Sequence, residues 1–272
     1  MTSHEFSPRC AVVLAGRRSA DDALALADGA PHRALLDIDG EPMLLRVVRR
    51  LLARAEITRV LVNIDAPELL EEIPAWRALV ADQPVQTLRS TDSPSQSVLE
   101  SLDVSALDDG PVLVTTADHA LLDDAMLDAF FRGCAAHPAD LHLALVPRAC
   151  IQSRFPEAQR TYLPFRNEAY SGANLFLFRT PASRAGALFW RRVEQERKQP
   201  WRIARAFGLL NLVLFSLRRL DLNAAMARAS TVVGARIAAV PIPIAEAAVD
   251  VDKVEDLALV RRILDEGRAK SA

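Results

Sequence analysis

The stretch AVVLAGRRSADDALALADGAPHRALLDIDGEPMLL, residues 11–45, decides the fold of this chain. It begins with an apolar run typical of a buried strand and passes through a small-residue loop at Ala15 and Gly16. It ends in a helix that opens with Gly-Glu-Pro-Met. Small residues after a strand let backbone N–H groups approach a ligand closely. A strand, a loop, nearby cations and a Gly-x-Pro turn are one way in which enzymes hold phosphate groups, so we predict a phosphate-binding edge here.

Similar apolar runs recur along the rest of the chain and alternate with helical patterns. The predicted strands are Cys10–Leu14, Arg59–Ile64, Pro111–Thr115, Leu141–Pro147, Ala173–Phe178 and Arg236–Ile242. The predicted helices are Leu44–Ala55, Gln96–Leu102, Asp123–Ala135, Ser183–Lys198, Ile203–Leu220, Asn223–Ala229 and Val254–Glu266. This alternation predicts an α/β fold, with a mainly parallel sheet covered by helices on both sides. Ligands of such sheets bind beyond the carboxyl ends of the strands.

The composition excludes several classes of protein. The 272 residues are 50% hydrophobic, and 33 basic residues face 35 acidic ones, so we expect a folded protein without nucleic-acid partners. The three cysteines lack metal-ligand spacing, which excludes a zinc site or a disulfide framework as the main interpretation. The opening MTSHEFSPRC does not have the pattern of a signal peptide, so a cytoplasmic location is expected.

The first loop offers several positive charges for phosphate groups. Arg17 and Arg18 follow Gly16 directly, and Arg33 comes further along. An ordinary turn after a strand is the competing interpretation of this loop. The chain lacks a P-loop and a complete GxGxxG motif, which argues against the common ATPase and dinucleotide-binding folds.

In the segment VLVTTADHALL, residues 112–122, a carboxylate comes immediately after the predicted apolar strand. Asp118 is placed where an aspartate can hold Mg²⁺ against phosphate oxygens. The alternative is that Asp118 caps the helix that begins near Leu122 or Asp123. The neighbouring His119 is more often a structural residue than a general base.

Two further polar segments lie towards the end of the chain. In AVDVDKVEDL, Asp250 and Asp252 are two residues apart, so an extended backbone turns both carboxylates towards one cation. In AYSGANLFLF, the residues Ser171, Gly172 and Asn174 are predicted to form a polar turn that presents groups to an acceptor, or an ordinary loop.

Taken in order, these segments resemble the nucleotidyltransferases of the molybdenum-cofactor guanylyltransferase-like group, which share a glycosyltransferase-A-like fold. That family's opening pattern of LAG, a basic loop, a lysine and xLLxIxGxPML is similar to this chain, with Arg33 at the lysine position. The other matching segments are TTADHAL around Asp118, SGAN at residues 171–174, the helix start QSVLESL at residues 96–102 and the closing DVDKVEDL at residues 250–257. The resemblance covers most of residues 11–264. It implies one three-layer α/β/α domain over residues 8–266, with a helical insertion at about 183–234.

The resemblance also implies roles for individual residues. It makes Arg17, Arg33 and Asp118 catalytic, and Ser171, Gly172 and Asn174 the acceptor-binding residues. It makes Asp118, Asp250 and Asp252 the ligands of a Mg²⁺ cofactor. The residues implied in nucleotide binding are Leu14, Ala15, Gly16, Arg17, Arg18, Arg33, Ser97 and Ala117.

The implied reaction transfers a nucleoside monophosphate from an NTP to a phosphorylated acceptor and releases pyrophosphate. By analogy with related enzymes CTP is favoured, followed by GTP, and the acceptor is a phosphorylated small molecule or a lipid head group. Three alternatives stay open. One is a glycosyltransferase that uses a nucleotide-sugar, and another is a nucleotide-binding regulator without catalysis. The third and least favoured is a structural or interaction protein.

Residues 198–234 have no counterpart in the smallest members of the group, and they begin with KQPWRIARAFGLLNLVLFSLRRLDL. Their apolar run at residues 207–217 is too short to span a membrane and has arginines at both ends. A core or homodimer-interface helix over residues 202–219 is the first expectation. The alternative is a helix that lies on a membrane surface or contacts a lipid-linked acceptor.

Overall fold

The computed structural model describes residues 8–17, 22–196 and 214–271. The strands in this part of the chain are β1 (Cys10–Leu14), β2 (Asp37–Ile38), β3 (Glu41–Pro42), β4 (Arg59–Ile64), β5 (Val85–Arg89), β6 (Val112–Thr116), β7 (Leu141–Pro147), β8 (Leu163–Pro164), β9 (Ala169–Phe178) and β10 (Ile237–Pro241). The α-helices are α1 (Ala23–Ala27), α2 (Met43–Leu52), α3 (Glu68–Glu71), α4 (Pro74–Asp82), α5 (Pro94–Val104), α6 (Asp124–Ala136), α7 (Arg148–Arg154), α8 (Arg184–Glu196), α9 (Leu222–Val233) and α10 (Val254–Ser271).

The main sheet is mixed and mainly parallel, as predicted. Its strands lie in the order β10-β7-β9-β6-β1-β4-β5, and the short β8 pairs with β9. The pairs β1–β4, β1–β6, β4–β5 and β7–β10 are parallel, whereas β9 runs antiparallel to both β6 and β7. The strand order doubles back around β1, and a sheet of this kind opens a crevice at the carboxyl ends of its central strands.

Alternate residues of each strand pack into two separate layers of helices. Ala11 and Val13 of β1 face the larger hydrophobic core, which α2, α6 and α10 cover. Cys10 and Val12 face a smaller core, to which α5 contributes Val98 and α8 contributes Ala187. This alternation, with period two, produces the predicted α/β/α sandwich.

The Gly-x-Pro turn of the opening stretch is a tight hairpin between β2 and β3. Asp39 and Gly40 have φ of 64° and 80°, the left-handed values that a two-residue type I′ turn requires and that favour Asp-Gly. Pro42 then leads into α2, whose first residue Met43 donates its backbone N–H to the carbonyl of Leu36 at 2.9 Å. The hairpin therefore fixes where α2 begins.

Most predicted elements are present, with boundaries that agree to within five residues. The sequence prediction missed β5, whose pattern VQTLR carries polar residues because it lies at the edge of the sheet. It also missed the two-residue strands β2, β3 and β8 and the short helices α1, α3, α4 and α7, which have nine residues or fewer. The predicted strand Ala173–Phe178 is longer than expected, because β9 begins at Ala169.

Candidate active site

A cavity of about 460 Å³ lies at the carboxyl ends of the central strands. The ends of β1, β4 and β6 are tied together there, because Ala15 N–H donates to the Asn63 carbonyl and Ala117 N–H donates to the Leu14 carbonyl, both at 2.8 Å. The predicted site residues that line this cavity are Leu14, Ala15, Gly16, Arg17, Arg33, Ser97, Ala117, Asp118, Asn174 and Asp250. Residues from five separate segments of the sequence therefore surround one space.

Arg17 is held in place by Asp65, a residue that the sequence analysis missed. The Arg17 backbone N–H donates to Asp65 Oδ1 at 3.0 Å, and Arg17 Nε donates to Asp65 Oδ2 at 2.7 Å. Asp65 follows β4 directly, so it has the same position relative to its strand that singled out Asp118. A carboxylate at the end of an apolar strand was the signal that could have found it.

His32 completes this cluster from beneath the loop. Its ring is fully buried, Nδ1 accepts the Ala34 N–H at 3.0 Å, and Nε2 lies 2.9 Å from Asp65 Oδ1. Since Nδ1 accepts, Nε2 carries the proton and donates it to Asp65. Burial alone raises the pKa of Asp65, but the hydrogen bonds from His32 and Arg17 outweigh it and lower that pKa to about 2. Asp65 is therefore ionised at neutral pH.

Arg33 lines the cavity but is not a free cation. Its Nη2 donates to the carbonyls of Val251 at 3.1 Å and Asp252 at 3.3 Å, and lies 3.5 Å from Asp252 Oδ1. Its Nε lies 3.3 Å from Asp22 Oδ2 without the alignment of a hydrogen bond. The guanidinium thus joins the loop after β1 to the segment before α10.

Asp118 lies at the centre of the polar end of the cavity. Its Oδ1 accepts a short hydrogen bond from Thr116 Oγ1 and one from Asn174 Nδ2 at 3.3 Å. Burial raises the pKa of Asp118 to about 6, against the Thr116 hydrogen bond and with the help of the negative charges of Asp250 and Asp252. The helix that follows is capped by Asp123, which accepts the Met126 N–H at 2.8 Å, so the alternative role of Asp118 as a cap is wrong.

Asp250 and Asp252 do not face the same way. Asp250 lines the cavity, and its Oδ1 accepts from Arg160 Nη1 at 2.7 Å, whereas Asp252 is directed to Arg33. Burial raises the pKa of Asp250 and the charge of Asp252 adds to this, while Arg160 opposes it. Only Asp250 of the two lines the cavity, and the sharing of one cation by both carboxylates stays a prediction.

The SGAN segment is not a turn but part of β9. Gly172 and Asn174 lie on one face of that strand, and Ser171 lies on the other, where it is buried. Small polar residues at strand positions made the segment look like a loop. Among the three predicted acceptor-binding residues, Asn174 lines the cavity and Ser171 and Gly172 do not.

Ser97 lies at the opposite side of the cavity, in the first turn of α5. Its Oγ accepts the Thr91 N–H at 2.9 Å and lies 3.0 Å from Thr91 Oγ1. The hydroxyl thus holds the loop between β5 and α5. A Cβ on Gly16 would lie 3.1 Å from Ser90 Oγ of that loop, so glycine permits the close approach of the two loops.

Two predictions fall wholly or partly outside the described residues. Arg18 lies there, and so do residues 202–213 of the apolar segment. The end of that segment is packed on the domain, since the rings of Phe215 and Phe165 are 5.6 Å apart and the Leu220 carbonyl accepts the Arg166 N–H at 2.8 Å. Within the described ranges, no helix combines the length and the apolar character needed to span a bilayer.

The carboxylates of the cavity decide whether the site could hold a metal ion. In the part of the chain that the structure describes, no cluster of three or more His, Cys, Asp or Glu side chains is arranged to hold a metal ion. Magnesium, however, is commonly held by one or two carboxylates together with substrate phosphates. Asp118 and Asp250 line the same cavity and have raised pKa values, so they offer a fitting pair of hard oxygen ligands.

Comparisons with known proteins agree with this architecture. A hypothetical transferase from Thermus thermophilus superimposes with a TM-score of 0.76 at 30% identity, over 92% of this chain and 99% of that one. CMP:2-keto-3-deoxy-manno-octonic acid synthetase complexed with CTP has a TM-score of 0.57 at 17% identity, over 96% of this chain and 100% of that one. The 4-diphosphocytidyl-2C-methyl-D-erythritol synthase from Anaerococcus prevotii gives 0.58 at 10% identity, over 97% and 100%. Residues 11–160 match the family described as MobA-like NTP transferase domain, and this chain belongs to that family of nucleotidyltransferases.

Proposed function

We propose that this protein transfers a nucleoside monophosphate from an NTP to a phosphorylated acceptor, a small molecule or a lipid head group, and releases pyrophosphate. CTP is the preferred donor and GTP the second choice. One observation carries the proposal. The carboxylates of Asp118 and Asp250 and the guanidinium groups of Arg17 and Arg33 line one cavity at the strand ends.

The reaction needs little acid–base chemistry. An ionised oxygen of the acceptor phosphate attacks the α-phosphorus, and a new P–O bond forms. The bond between the α-phosphorus and the oxygen that bridges to the β-phosphorus breaks, and pyrophosphate leaves with that oxygen. The protein therefore contributes mainly alignment and charge compensation.

The residues divide these tasks between the two sides of the cavity. Arg17, fixed by Asp65, and Arg33 face the triphosphate with positive charge. Gly16 and Ser97 border the nucleoside on the side of α5. Asn174, which also donates to Asp118, faces the acceptor phosphate with the rest of its amide.

Asp118 and Asp250 would hold Mg²⁺. The bound ion supplies neutralisation of the phosphate charge. The raised pKa values of both carboxyl groups are consistent with this role, because a cation would relieve the burial of these carboxylates and the repulsion between them. Asp252 contributes through its charge and its contact with Arg33.

The preference for CTP is supported by two relatives of the fold, one complexed with CTP and one named as a 4-diphosphocytidyl-2C-methyl-D-erythritol synthase. Both are distant in sequence, so they support the proposal by fold analogy alone.

A thermal-shift screen of the four NTPs, each with and without Mg²⁺, tests the donor. We expect the largest rise of the melting temperature with CTP and Mg²⁺, because a ligand that binds the folded state stabilises it. Pyrophosphate release is then measured against phosphorylated sugars, polyols and amino alcohols. Nucleotide binding without pyrophosphate release from any acceptor would favour the regulator, and turnover of UDP-sugars instead of NTPs would favour the glycosyltransferase.

A further inference from the structure

The cavity does not end at the polar site. It continues from Asp118 and Asn174 along the sheet, beneath α8, as a space with apolar walls. We call this part the apolar arm. Its walls include Val114 of β6, Leu143 of β7, Phe176 and Phe178 of β9, and Ala187 and Trp190 of α8.

The arm is elongated because its walls follow the strands. Asn174, Phe176 and Phe178 alternate along β9 and so share one face of the sheet. Phe176 is paired with Val114 on one side and Leu143 on the other, which makes a continuous apolar floor. Phe178 comes four positions after Asn174 in β9, so the floor extends for about 13 Å from the polar end.

The two faces of the sheet differ in how completely helices cover them. Among the residues that the structure describes, the larger core fills the face beneath α2 and α6, whereas the layer of α5 and α8 leaves the arm open beside half-buried Leu143 and Phe176. Trp190 is 43% exposed at the edge of the arm. Apolar walls that are joined to a catalytic centre favour a ligand with a hydrocarbon part.

Resting on the function proposed above, we propose that the acceptor is an amphiphilic phosphate monoester whose hydrocarbon chain lies in the apolar arm. Its phosphate is placed beside Asn174 and Asp118, and its chain runs along Phe176 towards Phe178. The arm thus selects the acceptor, while the polar loops on the opposite side select the nucleotide. This assigns the acceptor a chemical class that the polar residues alone do not specify.

The probes for the test are ethyl, butyl and hexyl phosphate. Their dissociation constants are measured by isothermal titration calorimetry on the full chain, with Mg²⁺ and a non-hydrolysable α,β-methylene analogue of the preferred NTP. We expect affinity to rise with chain length, by up to about fourfold for each methylene group that the arm buries. Binding of the nucleotide analogue is recorded first, so a failure of the proposed function is seen separately.

Two variants locate the effect in the arm. Trp190→Ala removes a half-exposed wall, so the fold should persist while the gain from butyl to hexyl phosphate falls. Ala187→Leu fills the arm, and it should abolish the dependence on chain length but keep the affinities for ethyl phosphate and the nucleotide. Leu188→Ala is the matched control, because this residue of the same helix is 47% exposed and does not line the cavity.

The results separate the competing outcomes. Equal affinities for the three phosphates in the wild-type protein, with the nucleotide analogue bound, would overturn the proposal and leave the proposed function intact. A chain-length effect that Trp190→Ala and Ala187→Leu leave unchanged would also overturn it, since the hydrocarbon would then bind elsewhere.

Discussion

Arg17 Nε lies 2.7 Å from Asp65 Oδ2, so the cation expected to grip the triphosphate is tied to the end of the neighbouring strand. The same carboxylate accepts hydrogen bonds from the backbone N–H of Arg17 and from the N–H of His32 Nε2. Through these three bonds Asp65 fixes both the direction of the Arg17 side chain and the course of the loop after β1. We therefore propose that Asp65 is a positioning residue, which would act on a bound nucleotide through Arg17.

We expect Asp65→Asn to weaken NTP binding by about tenfold to a hundredfold. An amide has one acceptor oxygen where the carboxylate has two, and a hydrogen bond to a charged group contributes about 1.5–3 kcal/mol. The dissociation constant of the NTP, measured by calorimetry, should rise while kcat at saturation changes less. Glu68→Gln is the control, since Glu68 is an exposed carboxylate that pairs with Arg89 nearby. Unchanged nucleotide affinity in Asp65→Asn would contradict the role of Asp65.

Asp118→Asn should remove pyrophosphate release almost completely without unfolding the protein. The loss of a metal ligand in the transition state costs several kcal/mol, equivalent to about a thousandfold or more in rate. Thermal stability should be maintained or rise, because burial and neighbouring carboxylates make the ionised Asp118 unfavourable and raise its pKa to about 6. Undiminished Mg²⁺-dependent turnover in this variant would refute the assignment.

Asp123→Ala should have the opposite effect, a loss of stability with turnover maintained. Asp123 caps α6, so its loss should cost about 1 kcal/mol of unfolding free energy and leave turnover unchanged. Urea unfolding and a pyrophosphate assay on both variants separate catalysis from stability at two aspartates five positions apart.

Acid should weaken the domain at Asp140, a residue that does not line the cavity. Asp140 accepts hydrogen bonds from Arg236 and Thr180, which lower its pKa to about 2 despite the opposing effect of burial. Since its folded pKa is below the unfolded value, its stabilising effect is present above about pH 4 and is lost as the pH falls towards 2. We expect about 1 kcal/mol, because Arg236 is largely exposed and solvent screens the pair.

Urea unfolding of Asp140→Asn and the wild-type protein, at a series of pH values from 7 down to 3, measures this contribution. The difference between the two proteins should shrink as the pH falls. Asp265→Asn, at an exposed carboxylate of α10, should show no such trend. A difference that stays constant over the whole pH range would show that the charge of Asp140 does not act as described.

The sequence allowed the central features of the site to be predicted because strand ends converge in a parallel sheet. Asp118 and Arg17 each follow an apolar run, so their meeting at one edge required only the fold class. The pairing of Asp250 with Arg160 could not be predicted from the sequence, since 90 positions separate the two residues and no local pattern specifies the contact. The SGAN segment was misinterpreted for a different reason: its small polar residues hide the alternation of a strand whose one face borders a cavity.

The effect of having an arginine at position 33 depends on partners that are distant in the sequence. The family pattern has a lysine at this position, but here the guanidinium reaches the carbonyls of Val251 and Asp252 while it lines the cavity. These contacts all come from Nη2, and a lysine, with a single ammonium group on a flexible stem, does not hold a donor at the position that the planar guanidinium gives to Nη2. Arg33→Lys should therefore keep the charge but lower kcat/KM for the NTP by about tenfold, equivalent to about 1.4 kcal/mol, as the contacts with the segment before α10 are lost.

Arg33→Ala should lower kcat/KM further, because both the charge and the contacts disappear. The comparison of Arg33→Lys, Arg33→Ala and the wild-type protein by steady-state kinetics thus separates charge from geometry. Arg49→Lys is the control, at an exposed arginine of α2 that pairs with Glu41. Full activity in Arg33→Lys would show that positive charge alone suffices at this position, and that the contacts with Val251 and Asp252 contribute nothing to catalysis.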